Sequence, residues 1–445
     1  MSDAAFDHLF RHSTAQVVAA LARELGAHRI DLAEEATQDA ALRALDVWRF
    51  QGVPSNPRGW LYRVARNRAL DVLRREANYE GKLAEHACRD GVPPARRAAG
   101  QAGTAESHMR RWTSPPAAGD VPFDDAELAL VFLCCHPRLS PDARVALTLR
   151  LAGAFSVDEI AAAFLAEPAT ISQRIVRAKR TLAGVDDVVE LTDPADVADR
   201  LDSVLDALYL LFNEGYDAHA GAQLVRAELC NEAIRLMRLI ANDPRTELPH
   251  AHALLALMLF QASRLPARVD HAGELVLLPD QDRDLWDRGL IAEAFHHFDR
   301  STTGERLTSW HVQAAIAAAY ASAPAWDAID WALVLMLHDQ LYEIEPTPVV
   351  ALNRAIARAH VDGPRAGLDA ALPLLEHPAM RRYFLLPATL AAFAQQLGDF
   401  AAAAGWYRMA LRLPCNDVER RFLERRLAVA GAGQPASSAA EPADR

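Results

Sequence analysis

Two short stretches gather positive charge at helical spacing. Arg58 to Arg75 holds six arginines and one acid, Asp71, while Arg174 to Arg180 holds four basic residues and no acid. Clusters of this kind neutralise phosphates, and arginine and glutamine also carry the paired groups that read base edges. Other reactive side chains are less well arranged. Cys134, Cys135 and His136 are consecutive, so a helix would point them to different sides, and the preceding Leu130-Val131-Phe132-Leu133 is core-like. His250/His252 and His296/His297 lack i, i+4 spacing and a carboxylate partner. With no phosphate-binding glycine loop, HExxH or Gly-x-Ser-x-Gly, the sequence predicts no catalytic residues, no metal, no cofactor and no enzyme.

The chain has 445 residues, 51% of them apolar, enough for two or three cores at about 150 residues per domain. Its charge is uneven. Up to Ala183 there are 24 basic and 22 acidic residues, and from Gly184 onward 23 and 37. Such asymmetry is expected where one half meets a polyanion and the other does not. Lysine is confined to Lys82 and Lys179. The five cysteines are scattered and form no CxxC pair, which fits a reducing compartment. The acidic start, Met1 to Asp7, lacks the basic and apolar regions of a secretory signal, and no apolar run nears the ~18 residues of a membrane helix. A cytoplasmic protein without membrane contact is expected.

In the first module, the spacing over Ala33 to Trp48 places Ala41, Leu45 and Trp48 on one helix side and Glu35, Asp39, Arg43 and Asp46 on the other. After a loop with Gly52, Pro54 and Asn56, Pro57 opens a second helix. Its apolar stripe is Leu61, Val64, Ala65, Ala69 and Val72, opposite Arg63, Arg66, Asn67 and Arg74. That opposite face suits nucleic acid.

The second module begins at Ser156-Val157-Asp158-Glu159, a capping-box pattern. A turn at Leu165-Ala166-Glu167 follows, and Pro168 opens a helix with Ile171, Ile175, Ala178 and Leu182 buried. Gln173, Arg177 and Arg180 face away, flanked by Thr170, Ser172, Arg174 and Lys179. A short capped helix, a tight turn and a basic second helix read as a helix-turn-helix. Between the modules, Pro93 to Pro122 reads as a flexible tether. Leu201 to Val429 is helical almost throughout by pattern, with prolines 35 (Pro244 to Pro279) and 102 (Pro244 to Pro346) residues apart, near one and three times the ~34-residue tetratricopeptide period. Stacked helix pairs build concave surfaces that bind protein or peptide, and the acidity of this part argues against DNA.

These stretches resemble a known family. Ala33 to Ala44 resembles the core-polymerase-binding helix of extracytoplasmic-function RNA polymerase sigma factors, Asn56 to Arg75 their −10-reading segment, and Thr170 to Leu182 their −35-reading helix. The C-terminal part resembles the subgroup with a tetratricopeptide-like extension, through Phe212 to Tyr216, Trp286 to Glu293, Pro348 to Ala355 and Glu419 to Leu423, and Leu397 to Phe400 with Ala403, Tyr407, Ala410 and Leu411 resembles the second half of a tetratricopeptide repeat. The resemblance implies an all-α protein that is a promoter-specificity subunit of bacterial RNA polymerase. It implies that Glu35, Gln38, Asp39 and Arg43 dock on the polymerase core. Arg49 to Asn56 would capture an unstacked base of the −10 element, and Arg49, Asn56, Arg58, Arg63, Arg66, Asn67, Arg74 and Arg75 would bind that DNA. Thr170, Ser172, Gln173, Arg174, Arg177, Lys179 and Arg180 would meet the −35 duplex.

The expected domains are 1–86 (region 2), 87–122 (linker), 123–185 (region 4), 186–200 (connector), 201–430 (helical regulatory domain) and 431–445 (tail). The C-terminal domain is expected to contact the sigma modules or a regulatory protein. A rival reading is a helix-turn-helix activator with a repeat-type sensor, which would not need the Arg58 to Arg75 face.

Overall fold

The computed structural model describes residues 3–89, 123–164, 166–184, 194–216 and 226–432. They form α-helices and short 3-10 turns, with one isolated antiparallel bridge, Val269 to Leu275, among the described residues. The chain is all-α, as expected. It divides into two units, Met1–Leu208 and Tyr209–Arg445. The expected tether, most of the connector and most of the tail lie outside the described residues.

The first unit opens with α1 (Asp3–Leu25), α2 (Ile30–Gln51) and α3 (Pro57–Arg89), which pack on one another. On α2 the buried ladder is Ala33, Ala36, Thr37, Ala40, Ala44 and Trp48, so of the expected Ala41, Leu45 and Trp48 only Trp48 belongs to it. Small side chains at four-residue intervals let α2 lie close against its neighbours, and Leu42 and Leu45 are turned out to solvent. The inner face of α3 is Leu61, Tyr62, Ala65, Arg66, Ala69 and Leu73. Arg66 therefore departs from its expected place on the DNA face. It sits one turn from Tyr62, and both side chains reach Glu24 of α1, Arg66 Nε at 3.5 Å. The half-buried Glu24 carboxylate, with two donors, holds the buried arginine inward.

The unit continues with α4 (Phe123–Cys134), α5 (Pro141–Leu151), α6 (Val157–Ala163), α7 (Pro168–Ala183) and α8 (Pro194–Tyr216). The capping box at Ser156 is present in full: Ser156 N donates to Glu159 Oε2 at 2.7 Å, and Glu159 N to Ser156 Oγ at 3.1 Å. Ile171, Ile175, Ala178 and Leu182 are buried as expected. Cys134 and Cys135 are buried in the core, and burial pushes the Cys135 thiol up to about 11. The helix α8 begins inside the expected connector, and the division between the units falls within it.

The second unit runs through α9 (Ala227–Asn242), α10 (Pro249–Ala262), α11 (Arg288–Ser301), α12 (Ser309–Ser322), α13 (Trp331–Ile344), α14 (Pro348–Asp362), α15 (Pro364–Ala371), α16 (Leu385–Gln396), α17 (Phe400–Leu411) and α18 (Asp417–Ala432). Each packs on the next in sequence. Gly215, at the end of α8, lies where a Cβ would come within 2.8 Å of the Cys230 amide, so the backbones approach as only glycine permits. The pattern reading of nearly continuous helix fails over residues 263–287. That connector has only 3-10 turns and the Val269–Leu275 bridge, pinned by Arg283 Nη1 donating to the Tyr320 and Ala323 carbonyls at 2.9 and 2.7 Å. The prolines used for a period do not share one structural position: Pro279 lies in a 3-10 turn, while Pro346 precedes the Thr347 cap of α14.

Candidate nucleic-acid and protein interfaces

The exposed side of α2 carries Glu35, Gln38, Leu42, Arg43, Leu45, Asp46 and Arg49, a polar, charge-balanced band with two leucines at its centre. Asp39 is half-buried beside it and accepts from Arg68 Nε at 2.6 Å. Exposed leucines ringed by charges are an arrangement suited to a protein partner. Leu42 and Leu45 were missed by the helical-wheel reading, which assigned Leu45 to the core.

Past α2 the chain turns at Gly52, whose φ of 79° is left-handed, and reaches Asn56. Asn56 Oδ1 accepts from the Gly59 amide at 2.8 Å, so this side chain starts α3. Trp48 and Trp60 meet edge to face at 5.5 Å, with Phe10 5.9 Å from Trp48, making a rigid aromatic floor under the loop. Phe50 stands clear of it, 85% exposed, with the Arg49 guanidinium 6.0 Å from its ring centre. An exposed ring beside a guanidinium can stack an unpaired base and hold its phosphate. Phe50 was not among the residues singled out from sequence, because the stretch from Arg49 was read as loop, whereas Arg49, Phe50 and Gln51 form the last turn of α2.

Along α3 the outward arginines are Arg63, Arg74 and Arg75, together with Asn67. Arg74 lies 3.7 Å from Asp71, an exposed pair. Arg58 is half-buried and donates to Gln16 Oε1 of α1 at 2.8 Å.

On α7, Thr170, Ser172, Gln173, Arg177 and Arg180 are exposed, and Val176 among them is 50% exposed. At 100° per residue, Gln173, Val176, Arg177 and Arg180 lie opposite the buried stripe. Arg174 is turned to one flank and meets Asp142 of α5 at 3.3 Å. Lys179 is turned to the other flank, against α2, where Nζ reaches Asp31 at 2.7 Å and also Glu34. Burial alone would lower the Lys179 pKa, but the two carboxylates outweigh it and raise it above the usual value. Lys179 is therefore not on the open face with its neighbours. A cleft of about 390 Å³ runs between α7 and the start of α5, lined by Arg138, Ser140, Gln173, Arg174, Arg177 and Thr181 among others. Arg138 adds a positive charge to this cleft, and Asp142 in the first turn of α5 adds a negative one.

Residues 10–79 match the family described as Sigma-70 region 2, and residues 129–182 the family described as Sigma-70, region 4. Residues 200–302 match a family of unknown function, DUF6596. The chain is 37% identical over 398 residues to a protein of Rhizobium meliloti (strain 1021) described as uncharacterized, covering 89% of this chain and 90% of the relative. No solved structure matches. Among the described residues no helix is long and apolar enough to cross a membrane.

Proposed function

Because this chain belongs to the sigma-70 family of promoter-recognition factors, with regions 2 and 4 followed by a C-terminal extension, we propose that it is of the extracytoplasmic-function type. In this reading the band of Glu35, Gln38, Asp39, Leu42, Arg43 and Leu45 seats on bacterial core RNA polymerase. Phe50 and Arg49 take an unstacked base of the −10 element, with Asn56 setting the loop and Arg58, Arg63, Asn67, Arg74 and Arg75 following the strand. Thr170, Ser172, Gln173, Arg174, Arg177 and Arg180 meet the −35 duplex. Extracting a base costs a few kcal/mol, which aromatic stacking of about 1 to 3 kcal/mol per base offsets.

The observation that carries this reading is the pairing of an exposed Phe50, standing clear of the Trp48–Trp60 ring pair, with a second, separate basic helix. One surface suits single-stranded DNA and the other suits a major groove. A duplex-binding activator has no need of the first. The acidic second unit, in our reading, regulates these surfaces by binding protein, not DNA.

Run-off transcription with purified core polymerase and a promoter from upstream of the protein's own operon tests the proposal. Transcripts that appear only on adding the protein support it. Transcripts that differ between the full chain and a truncation near residue 208 support regulation by the extension. No core binding and no transcript from folded protein would sink the reading.

A further inference from the structure

Several arginines of the second unit pair with carboxylates, as Arg238 does with Glu293 at 2.7 Å, Arg245 with Asp243 at 2.6 Å and Arg421 with Glu274 at 2.6 Å. Three others converge on Trp286 without one. The Arg264 guanidinium lies 5.9 Å from the Trp286 ring centre and donates to Tyr216 Oη at 2.8 Å. That of Arg283 lies 4.5 Å from the same ring and is held by the Tyr320 and Ala323 carbonyls. Arg288 Nη2 donates to the Arg283 carbonyl at 3.3 Å from an exposed position, so the cluster reaches solvent there. Among the described residues none of the three has a carboxylate within ion-pair distance. The acids nearest in sequence serve as caps: Asp282 accepts from the Asp284 amide at 2.9 Å, and Asp287 from the Leu290 amide at 3.0 Å. The stretches Phe212 to Tyr216 and Trp286 to Glu293, distant in sequence, thus meet through Arg264.

Unmatched guanidiniums gathered in one place repel one another. Burial, then the charges of Arg264 and Arg288, lower the Arg283 pKa, with no carboxylate opposing them. Arg264 also lies close enough to Tyr320 to oppose the burial that pushes its phenol up to about 12. Acids are not scarce, since from Gly184 onward there are 37 against 23 basic residues. Two donors of the cluster are shut off from solvent with no hydrogen-bond partner, Arg283 Nη2 and the indole Nε1 of Trp286, a residue only 3% exposed. Arginine and tryptophan only donate, so the group that completes the set is a negatively charged acceptor. A phosphate group matches three guanidiniums better than a carboxylate does, because it carries close to two charges and three strong acceptor oxygens. We propose that Arg264, Arg283, Arg288 and Trp286 form a binding site for a small phosphate-bearing molecule. The half-buried Arg264 and Arg283 turn toward the anion, which gives the two orphaned donors their acceptors, and Arg288 covers it from the solvent side. The site lies within the second unit and needs no part of the promoter reading.

The indole N–H cross-peaks of the full chain labelled with 15N-tryptophan read the site directly, with the Trp286 peak assigned by its loss in Trp286→Phe. Inorganic phosphate, added to about 10 mM at constant ionic strength, should move that peak downfield and saturate. Glycerol 3-phosphate titrated in parallel separates the sources: tighter binding of the monoester assigns the site to a phosphorylated metabolite, and tighter binding of phosphate assigns it to the free ion. Arg283→Gln should weaken binding by about tenfold or more, the loss of one charge-assisted hydrogen bond. Because Arg283 also pins the connector, Arg288→Glu, at an exposed position, is the second variant. It should weaken binding as much while thermal unfolding stays unchanged. A Trp286 peak that phosphate leaves in place would overturn the proposal, whether the indole is bonded to a buried water or to nothing. So would an equal, saturable shift with acetate, or wild-type affinity in Arg288→Glu.

Discussion

Asp39 of α2 and Arg68 of α3 form an ion pair, Arg68 Nε 2.6 Å from Asp39 Oδ2, that links the proposed polymerase-docking face to the helix proposed to meet the −10 element. Both side chains are about two-fifths exposed, so the pair contributes at most about 1 kcal/mol. Its role is to orient Asp39. Arg68→Ala should weaken binding to core polymerase by no more than about fivefold, measured by anisotropy of a labelled chain. A loss of a hundredfold would mean that Arg68 itself touches the polymerase.

Phe50 should matter after binding, when the duplex opens. Phe50→Ala should leave polymerase affinity unchanged and lower open-complex yield by about 5- to 150-fold, the equivalent of about 1 to 3 kcal/mol of lost stacking. Permanganate reactivity of promoter thymines reads this directly. Phe50→Trp should retain most of the yield, since any large ring can stack.

Much of this was legible because period and composition carry it. The Ile171, Ile175, Ala178, Leu182 stripe and the Ser156 capping box repeat at fixed helical offsets, and the structure has them as read. The wheel on α2 failed for a physical reason. Alanine is as buriable as leucine where helices approach closely, so Ala36, Ala40 and Ala44 took the core and Leu45 was left outside. Arg66 and Lys179 were misplaced because an ion partner distant in sequence outweighs a charge's preference for solvent. Glu24 and Glu34 have no local signal that marks them as those partners. The 263–287 connector escaped the pattern because its apolar residues, Leu265, Leu277, Leu278 and Trp286, look helical until Pro266 and Pro279 break it into short turns.

Val176 is an apolar side chain among the polar residues of the proposed −35 face, and apolar groups in a major groove meet thymine methyls. Replacing −35 thymines one at a time with deoxyuridine removes only that methyl. One position should weaken wild-type binding by about threefold to tenfold, within the range of one base contact. The same change should leave Val176→Ala unaffected. Equal sensitivity of the two proteins at every thymine would refute the contact.

Arg63 and Arg66 lie three residues apart and should behave oppositely. Arg63→Ala, on an exposed site, should leave thermal stability unchanged and reduce the salt dependence of promoter binding by about one phosphate contact. Arg66→Ala removes a buried donor from Glu24 beside Tyr62, whose phenol is already held well above its usual range by burial and by Glu24. That should cost about 1 to 3 kcal/mol of stability, seen in urea unfolding, and lower promoter binding only as the fold is lost. Arg66→Lys, which keeps the charge, should recover part of the stability.

The second unit should be acid-labile well above the carboxylate range. The His252 and His297 rings stack with their Nδ1 atoms 2.9 Å apart, so one donates and the other, which must be neutral, accepts; the two cannot both be protonated. Burial, then the His252 charge, pushes His297 down to about 4, and burial does the same to His338. Burial also lowers His252. Above pH 6.5 these groups are neutral folded and unfolded, so they leave stability unchanged. Below it the unfolded chain binds protons that the folded chain refuses, so stability falls steadily from pH 6.5 toward 4. Differential scanning calorimetry should show the unfolding of this unit shifted down by at least about 5 °C between pH 7.5 and 5. In the double variant His252→Leu, His297→Leu the shift should shrink while the remainder, set by His338, His311 and His360, which burial also lowers, persists. An unchanged shift in that variant would mean that the pair takes up its protons without unfolding.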